Sequence, residues 1–185
     1  MAREDRERWD ARHRAVAAAG APAVPTPPDA LRGREHLLPA GRRALDVACG
    51  RGTVAVWLAE RGFGVDAVDV SEPALAAGAA LAADRAVGEQ VRWWPHDLDE
   101  GLPDECAGPY DVVVCQRFRD PALYPVLAHR LAPGGLLVVT VLSVVGDEGG
   151  PFRAAPGELL AAFDGLTRLD HTERDGEASL LARRP

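Results

Sequence analysis

From Arg43 onward apolar and mixed stretches take turns along the chain. "ALDVA" is followed by the helical pattern "TVAVWLAERG", then apolar "GVDAVDV", helical "EPALAAGAALAADRAVG" and "VRWWPHDL". The pattern continues with "YDVVVCQRF", a helix through "PALYPVLAHRLAPGG" and the strand "LLVVTVLSVV". Short apolar runs alternating with amphipathic helices predict βαβ units around a parallel sheet. "LTRLDHTE" and "ASLLARRP" flank Arg174-Asp175-Gly176-Glu177, and Asp-Gly between two strand-like runs predicts a closing hairpin. The expected fold is therefore α/β: a doubly wound, Rossmann-like, mostly parallel seven-stranded sheet with an antiparallel C-terminal hairpin and helices on both faces. Residues 3–19 have a helix-compatible pattern that "GAPAVPTPPDALRG" breaks. The chain thus divides into an N-terminal helical appendage or lid, 1–40, and a main domain, 41–185.

Composition narrows the chemistry. With 185 residues, 47% hydrophobic, the chain can bury one core. It contains no Lys, Asn or Ile, a bias toward GC-rich codons, and the lack of Lys excludes Schiff-base chemistry and a P-loop lysine. A net charge of −7 without a basic block argues against nucleic acid as a partner. Cys49, Cys106 and Cys115 have no paired short spacing, and the charged N-terminus is unlike a signal peptide, so a reducing cytoplasm is expected. "GLLVVTVLSVVG" falls short of the roughly 18 to 20 residues of a membrane span. His13, His36, His96, His129 and His171 show no ligand spacing, and no metal is expected.

The chemistry concentrates in "ALDVACGRGTVAVWLAERGFGVDAVDVS". Gly50, Gly52 and Ala55 spell a dinucleotide-binding fingerprint, in which a glycine turn lets backbone approach a ligand at a helix start. Asp46 does not suit that ligand, because a carboxylate on the entering strand would face a pyrophosphate; it would instead welcome the ammonium of S-adenosylmethionine, or simply cap the next turn. Asp69, the last residue of the second strand, can accept both ribose hydroxyls. Asp66, earlier on that strand, is expected on the same face and is read as a surface or strand-edge carboxylate. Of Trp93 and Trp94, one is expected in the core and the other on the opposite face.

Taken together, the run Asp46 to Gly52, Asp69, "HDLDEGLP", "YDVVVCQRF" and "LAPGGLLVVTV" resembles class I S-adenosylmethionine-dependent methyltransferases over about residues 42–143. "WDARH" and "FRAAPGELLAAF" resemble the small tellurite-resistance and thiopurine methyltransferase-like group. Ala48 departs from the family, where many members have Gly. The resemblance implies S-adenosyl-L-methionine as cofactor. It implies that Asp46, Ala48, Gly50 and Gly52 line the methionine portion and that Asp69 holds the ribose. It further places Val70 on the adenine face, Asp97 and the Leu98 backbone on the adenine edge, and Gln116 by the transferable methyl. Gln116 and Arg117 are candidates to orient a small-molecule acceptor through a sulfur, selenium, tellurium, oxygen or nitrogen nucleophile. Trp9 and His13, four apart on one helix face, and Phe118 are candidates for an acceptor lid. On that division, losing the N-terminal segment harms turnover more than cofactor affinity. The competing readings are a non-catalytic S-adenosylmethionine-binding module and an NAD(P)-dependent oxidoreductase.

Overall fold

The structure, a computed structural model, describes residues 2–18, 23–147, 149–150 and 152–185. Seven strands take the order β3-β2-β1-β4-β5-β7-β6: β1 Arg43–Val47, β2 Gly64–Asp69, β3 Val91–Pro95, β4 Tyr110–Gln116, β5 Leu131–Leu142, β6 Thr167–Arg174 and β7 Glu177–Arg183. The helices are α1 Ala2–Ala18, α2 Thr53–Ala59, α3 Glu72–Asp84, α4 Tyr124–Arg130 and α5 Glu158–Ala162. This is the expected mixed sheet, with β1, β2 and β3 paired in parallel, β4 parallel to β5, and β7 antiparallel to both β5 and β6. Two compact units make up the chain: 1–27 with 42–107, and 28–41 with 108–185.

In the first unit, β1 pairs with β2 and β2 with β3, all parallel. Leu45 and Val47 on β1 and Val65, Ala67 and Val68 on β2 are buried, as strands covered on both faces require. Helix α3 starts where Ser71 accepts the Ala74 amide at 3.4 Å, with proline in its first turn. Trp93 and Trp94 are both half-buried and face opposite ways. The Trp93 ring fills the space beside Gly52 and Gly78, where an added Cβ would come within 2.4 and 2.6 Å of it. Trp94 donates its indole N–H to Asp66 at 2.9 Å.

Asp66 departs from expectation. It lies three positions before Asp69, so alternation sends the two carboxylates to opposite faces. It is 1% exposed, takes hydrogen bonds from Arg92 and Trp94, and has Arg43 at 3.6 Å. It is a buried structural anion, not a surface group.

In the second unit β4, β5, β7 and β6 lie side by side. Helix α4 ends at Arg130 rather than running to the glycines, because Pro133 disfavours helical backbone at Ala132. The chain enters β5 directly, and an irregularity between Tyr110 and Val112 absorbs the extra residues. Asp175 and Gly176 have φ of 53° and 79°, the two positive values that a two-residue hairpin of matching twist needs. Segment 28–41 belongs to this unit. Leu31 is fully buried, Arg34 pairs with Asp170 at 3.0 Å, and Arg183 donates to the Leu37 carbonyl at 2.8 Å.

Candidate active site

In an open α/β sheet, ligands bind beyond the carboxyl ends of the strands. In the first unit those ends carry Asp46, the turn Ala48–Gly52, Asp69 and Val70, and the Asp97–Leu98 turn. Asp69 is 8% exposed. Its Oδ2 accepts the Gly50 amide at 2.7 Å and its Oδ1 the Ser71 amide at 2.9 Å, so one carboxylate ties the glycine turn to the start of α3. Each oxygen keeps a further acceptor site, enough for two hydroxyl donors. Ala48 sits at φ 54°, in the left-handed region that glycine enters without a side-chain clash.

The two turn glycines serve different ends. Gly52 is required by packing, since any Cβ would strike Trp93. At Gly50 (φ 53°) an added Cβ would meet only the His13 ring, at an ordinary 3.6 Å.

Asp46 is 3% exposed. One contact is the Ala55 amide in the first turn of α2, so the capping reading holds for part of the carboxyl. The other oxygen, Oδ2, is buried without a hydrogen-bond partner. Burial first, and then the neighbouring Asp69 charge, push its pKa up to about 8. Asp46 therefore repels a pyrophosphate only once it has been ionised. An orphaned buried carboxyl oxygen fits a ligand that brings an ammonium.

Asp97 caps its own turn, accepting the Asp99 amide at 3.0 Å, and Leu98 is 5% exposed. Val70 is half-buried. Burial foremost, with the neighbouring carboxylates, raises the Cys49 thiol pKa well above the usual range, which disfavours the thiolate that a nucleophile needs.

Helix α1 lies with these residues. Ser71 donates to Asp10 at 2.7 Å, His13 rests over Gly50, and Trp9 stacks on His13 at 6.1 Å between centroids. Arg8 and Arg12 lie 5.8 and 5.2 Å from the Trp9 ring centroid. Burial lowers the His13 pKa, with Asp69 acting the other way. Asp10 and Ser71 were not singled out in the sequence; Asp10, one helical turn from His13, and Ser71, an N-cap before Glu-Pro, carry the signal.

In the second unit Gln116 accepts the Asp29 amide at 3.1 Å through Oε1, which sets the orientation of its carboxamide. Arg117, at φ 57°, is exposed and paired with Glu177 at 3.1 Å. Phe118 is half-buried, and its carbonyl accepts from the Cys115 thiol at 3.6 Å. A carboxylate the sequence did not flag, Glu158, accepts from Arg119 Nε and Nη2 at 2.7 Å each, from the Tyr124 hydroxyl at 3.1 Å and from the Ala155 amide at 3.1 Å. Those bonds, Arg119 foremost, lower its pKa, while burial and then the Glu158 charge push the Tyr124 hydroxyl well above the usual phenol range.

Residues 44–135 match the family described as a methyltransferase domain. The chain is 38% identical over 108 residues to the ubiquinone biosynthesis O-methyltransferase of Caulobacter sp. (strain K31), covering 56% of this chain and 42% of that one. It is 36% identical over 162 residues to the ribosomal protein L11 methyltransferase of Bordetella parapertussis, covering 85% and 47%. The chain thus spans about half the length of the curated relatives it matches. TehB from Haemophilus influenzae superposes with a TM-score of 0.70 at 18% identity, over 85% of this chain and 62% of that one, a likeness of fold.

Proposed function

We propose, from the premise that this chain carries a class I S-adenosylmethionine-dependent methyltransferase domain, that it transfers the sulfonium methyl to a small molecule through a sulfur, selenium, tellurium, oxygen or nitrogen nucleophile. The observation that carries the cofactor half is the Asp69 carboxylate, pinned by two amides at 2.7 and 2.9 Å beside the glycine turn. In this reading Asp69 holds the ribose hydroxyls, and Asp97, Leu98 and Val70 hold the adenine. The Ala48–Gly52 backbone and Asp46 receive the amino-acid end. S-adenosylmethionine supplies a methyl already activated for displacement, so the protein contributes chiefly orientation, for which effective molarities of about 10⁵ M or more are attainable. Gln116, with its carboxamide oxygen engaged by Asp29, has its amino group as the donor it can offer to an acceptor.

The finer placement, with the small tellurite-resistance and thiopurine methyltransferase-like group, belongs to the same proposal and is supported by "WDARH" and "FRAAPGELLAAF". The relatives' names point to two acceptor classes, a small molecule and a ribosomal protein. The small molecule is preferred on the resemblance of "WDARH" and "FRAAPGELLAAF" to that small methyltransferase group. Titration calorimetry with S-adenosylmethionine, S-adenosylhomocysteine and NAD tests the cofactor half. Binding of the two adenosyl ligands without NAD is the expected result, and NAD binding alone would end the reading. Labelled methyl transfer to thiol, selenol, phenol and amine acceptors tests the other half.

A further inference from the structure

A carboxyl group removed from water stays ionised only if a cation or several hydrogen bonds replace the lost hydration. Asp46 has neither in sufficient measure. Its Oδ2 is buried without a partner, the Ala55 amide of α2 alone is set against its negative charge, and among the described residues it makes no ion pair.

Of the titratable groups around it, Asp69 alone acts on it, and in the same direction. From β2, Asp69 brings a like charge. From the turn, Cys49 is held as the neutral thiol. From α1, His13 acts on Asp69 rather than on Asp46, with Asp10, Arg12 and Arg51 as its other charged neighbours. The cation that would make this site whole is not supplied by these neighbours.

We infer that Asp46 carries a proton until the amino-acid end of the cofactor arrives and releases it to solvent on pairing with that end's ammonium, which makes cofactor binding proton-linked through one buried carboxyl. The inference rests on the cofactor reading above. In the step the Asp46 O–H bond breaks, the proton passes to buffer, and the electron pair stays on the carboxylate facing the ammonium; nothing is oxidised or reduced. Affinity for any ligand bearing that ammonium then rises with pH, up to tenfold per unit, until Asp46 is ionised without help. The amino-acid end also bears a carboxylate, to which a neutral Asp46 could donate with no proton released, and this is the alternative the experiment must separate.

The experiment is calorimetry on the full chain at pH 6.5, where an α-amine is protonated. Each titration is run in two buffers of different ionisation enthalpy, so that the difference in heat counts protons. With S-adenosylhomocysteine we expect close to one proton released by the native chain. Asp46→Asn, which keeps a neutral group of the same shape, should release about one fewer and bind at least tenfold more weakly. 5′-Methylthioadenosine, which lacks the amino-acid end, should bind the native chain without this release. That arm stands even if the variant fails to fold. Equal proton counts for S-adenosylhomocysteine and 5′-methylthioadenosine, or for native chain and variant, overturn the inference. Binding of neither nucleoside would instead remove the cofactor reading on which it stands.

Discussion

Asp46, Asp66 and Asp69 lie on two adjacent strands and are all buried, yet each meets a different fate. Asp66 has Arg92, Arg43 and the Trp94 N–H for partners, Asp69 has two backbone amides, and Asp46 has one amide and an orphaned oxygen. Replacing Asp69 by Ala should weaken S-adenosylhomocysteine binding by about 1.5 to 4 kcal/mol, because hydrogen bonds to a charged acceptor contribute about 1.5 to 3 kcal/mol each. Asp66→Ala should leave that affinity nearly intact while lowering stability by about 1 to 3 kcal/mol, a range reduced for the exposure of its arginine partners. Calorimetry and denaturant melts on the pair separate the two roles; equal losses of affinity would show that the faces have been misassigned. For Asp46 the folded pKa lies above the unfolded value, so the native state holds the extra proton between about pH 4 and 8. Its contribution to stability is therefore present at the acid end of that window and declines as pH rises through it. Asp46→Asn should flatten that slope in melts run across the window. At Ala48, glycine relieves a left-handed conformation that costs an L-residue about 1 to 2 kcal/mol and adds unfolded-state entropy of about 0.5 to 1 kcal/mol. Ala48→Gly should raise stability by up to about 1 kcal/mol, read as a higher denaturant midpoint.

Among the elements, the alternation of apolar runs and amphipathic helices was legible because each βαβ unit writes its own period into the chain, and the Asp175-Gly176 hairpin because its turn demands two positive φ values. The end of α4 was missed: "VLAHRLAPGG" keeps a helical pattern past Arg130, and only the effect of Pro133 on the residue before it cuts the helix there. The face of Asp66 was missed through parity along one strand. The pairings of Asp10 with Ser71 and Glu158 with Arg119 lie 61 and 39 positions apart, a separation at which periodicity carries no information. Packing between elements was equally hidden. Gly78 reads as an unremarkable helix residue, yet with Gly52 it makes room for the Trp93 ring. Gly78→Ala should cost about 1 to 3 kcal/mol despite alanine's better helix propensity, as overpacking does. Combining it with Trp93→Leu should recover part of that loss in a double-mutant cycle. Simple additivity would mean that the ring can move aside.

For the whole molecule, chain order and compact units do not coincide. The first 27 residues go with the strand ends that carry Asp46 and Asp69, whereas 28–41 go with β4 to β7. The sequence predicts 1–40 as one appendage serving the acceptor. Asp10 on Ser71 and His13 over Gly50 instead put α1 against the candidate cofactor residues. Deleting residues 1–18 should therefore weaken S-adenosylhomocysteine binding itself, measured by calorimetry; undiminished affinity would return α1 to the acceptor side. The hairpin tip has a consequence of another kind, in chemical ageing. Aspartyl-glycyl links isomerise when the glycine nitrogen attacks the aspartyl side chain to form a succinimide, and Asp175 is 91% exposed. In the folded chain that nitrogen is engaged, donating to the Val145 carbonyl at 2.8 Å, and the turn fixes the backbone on both sides of it. Isoaspartate at 175 should accumulate slowly in native protein and much faster after unfolding, leaving in each molecule a covalent record of the time it has spent unfolded.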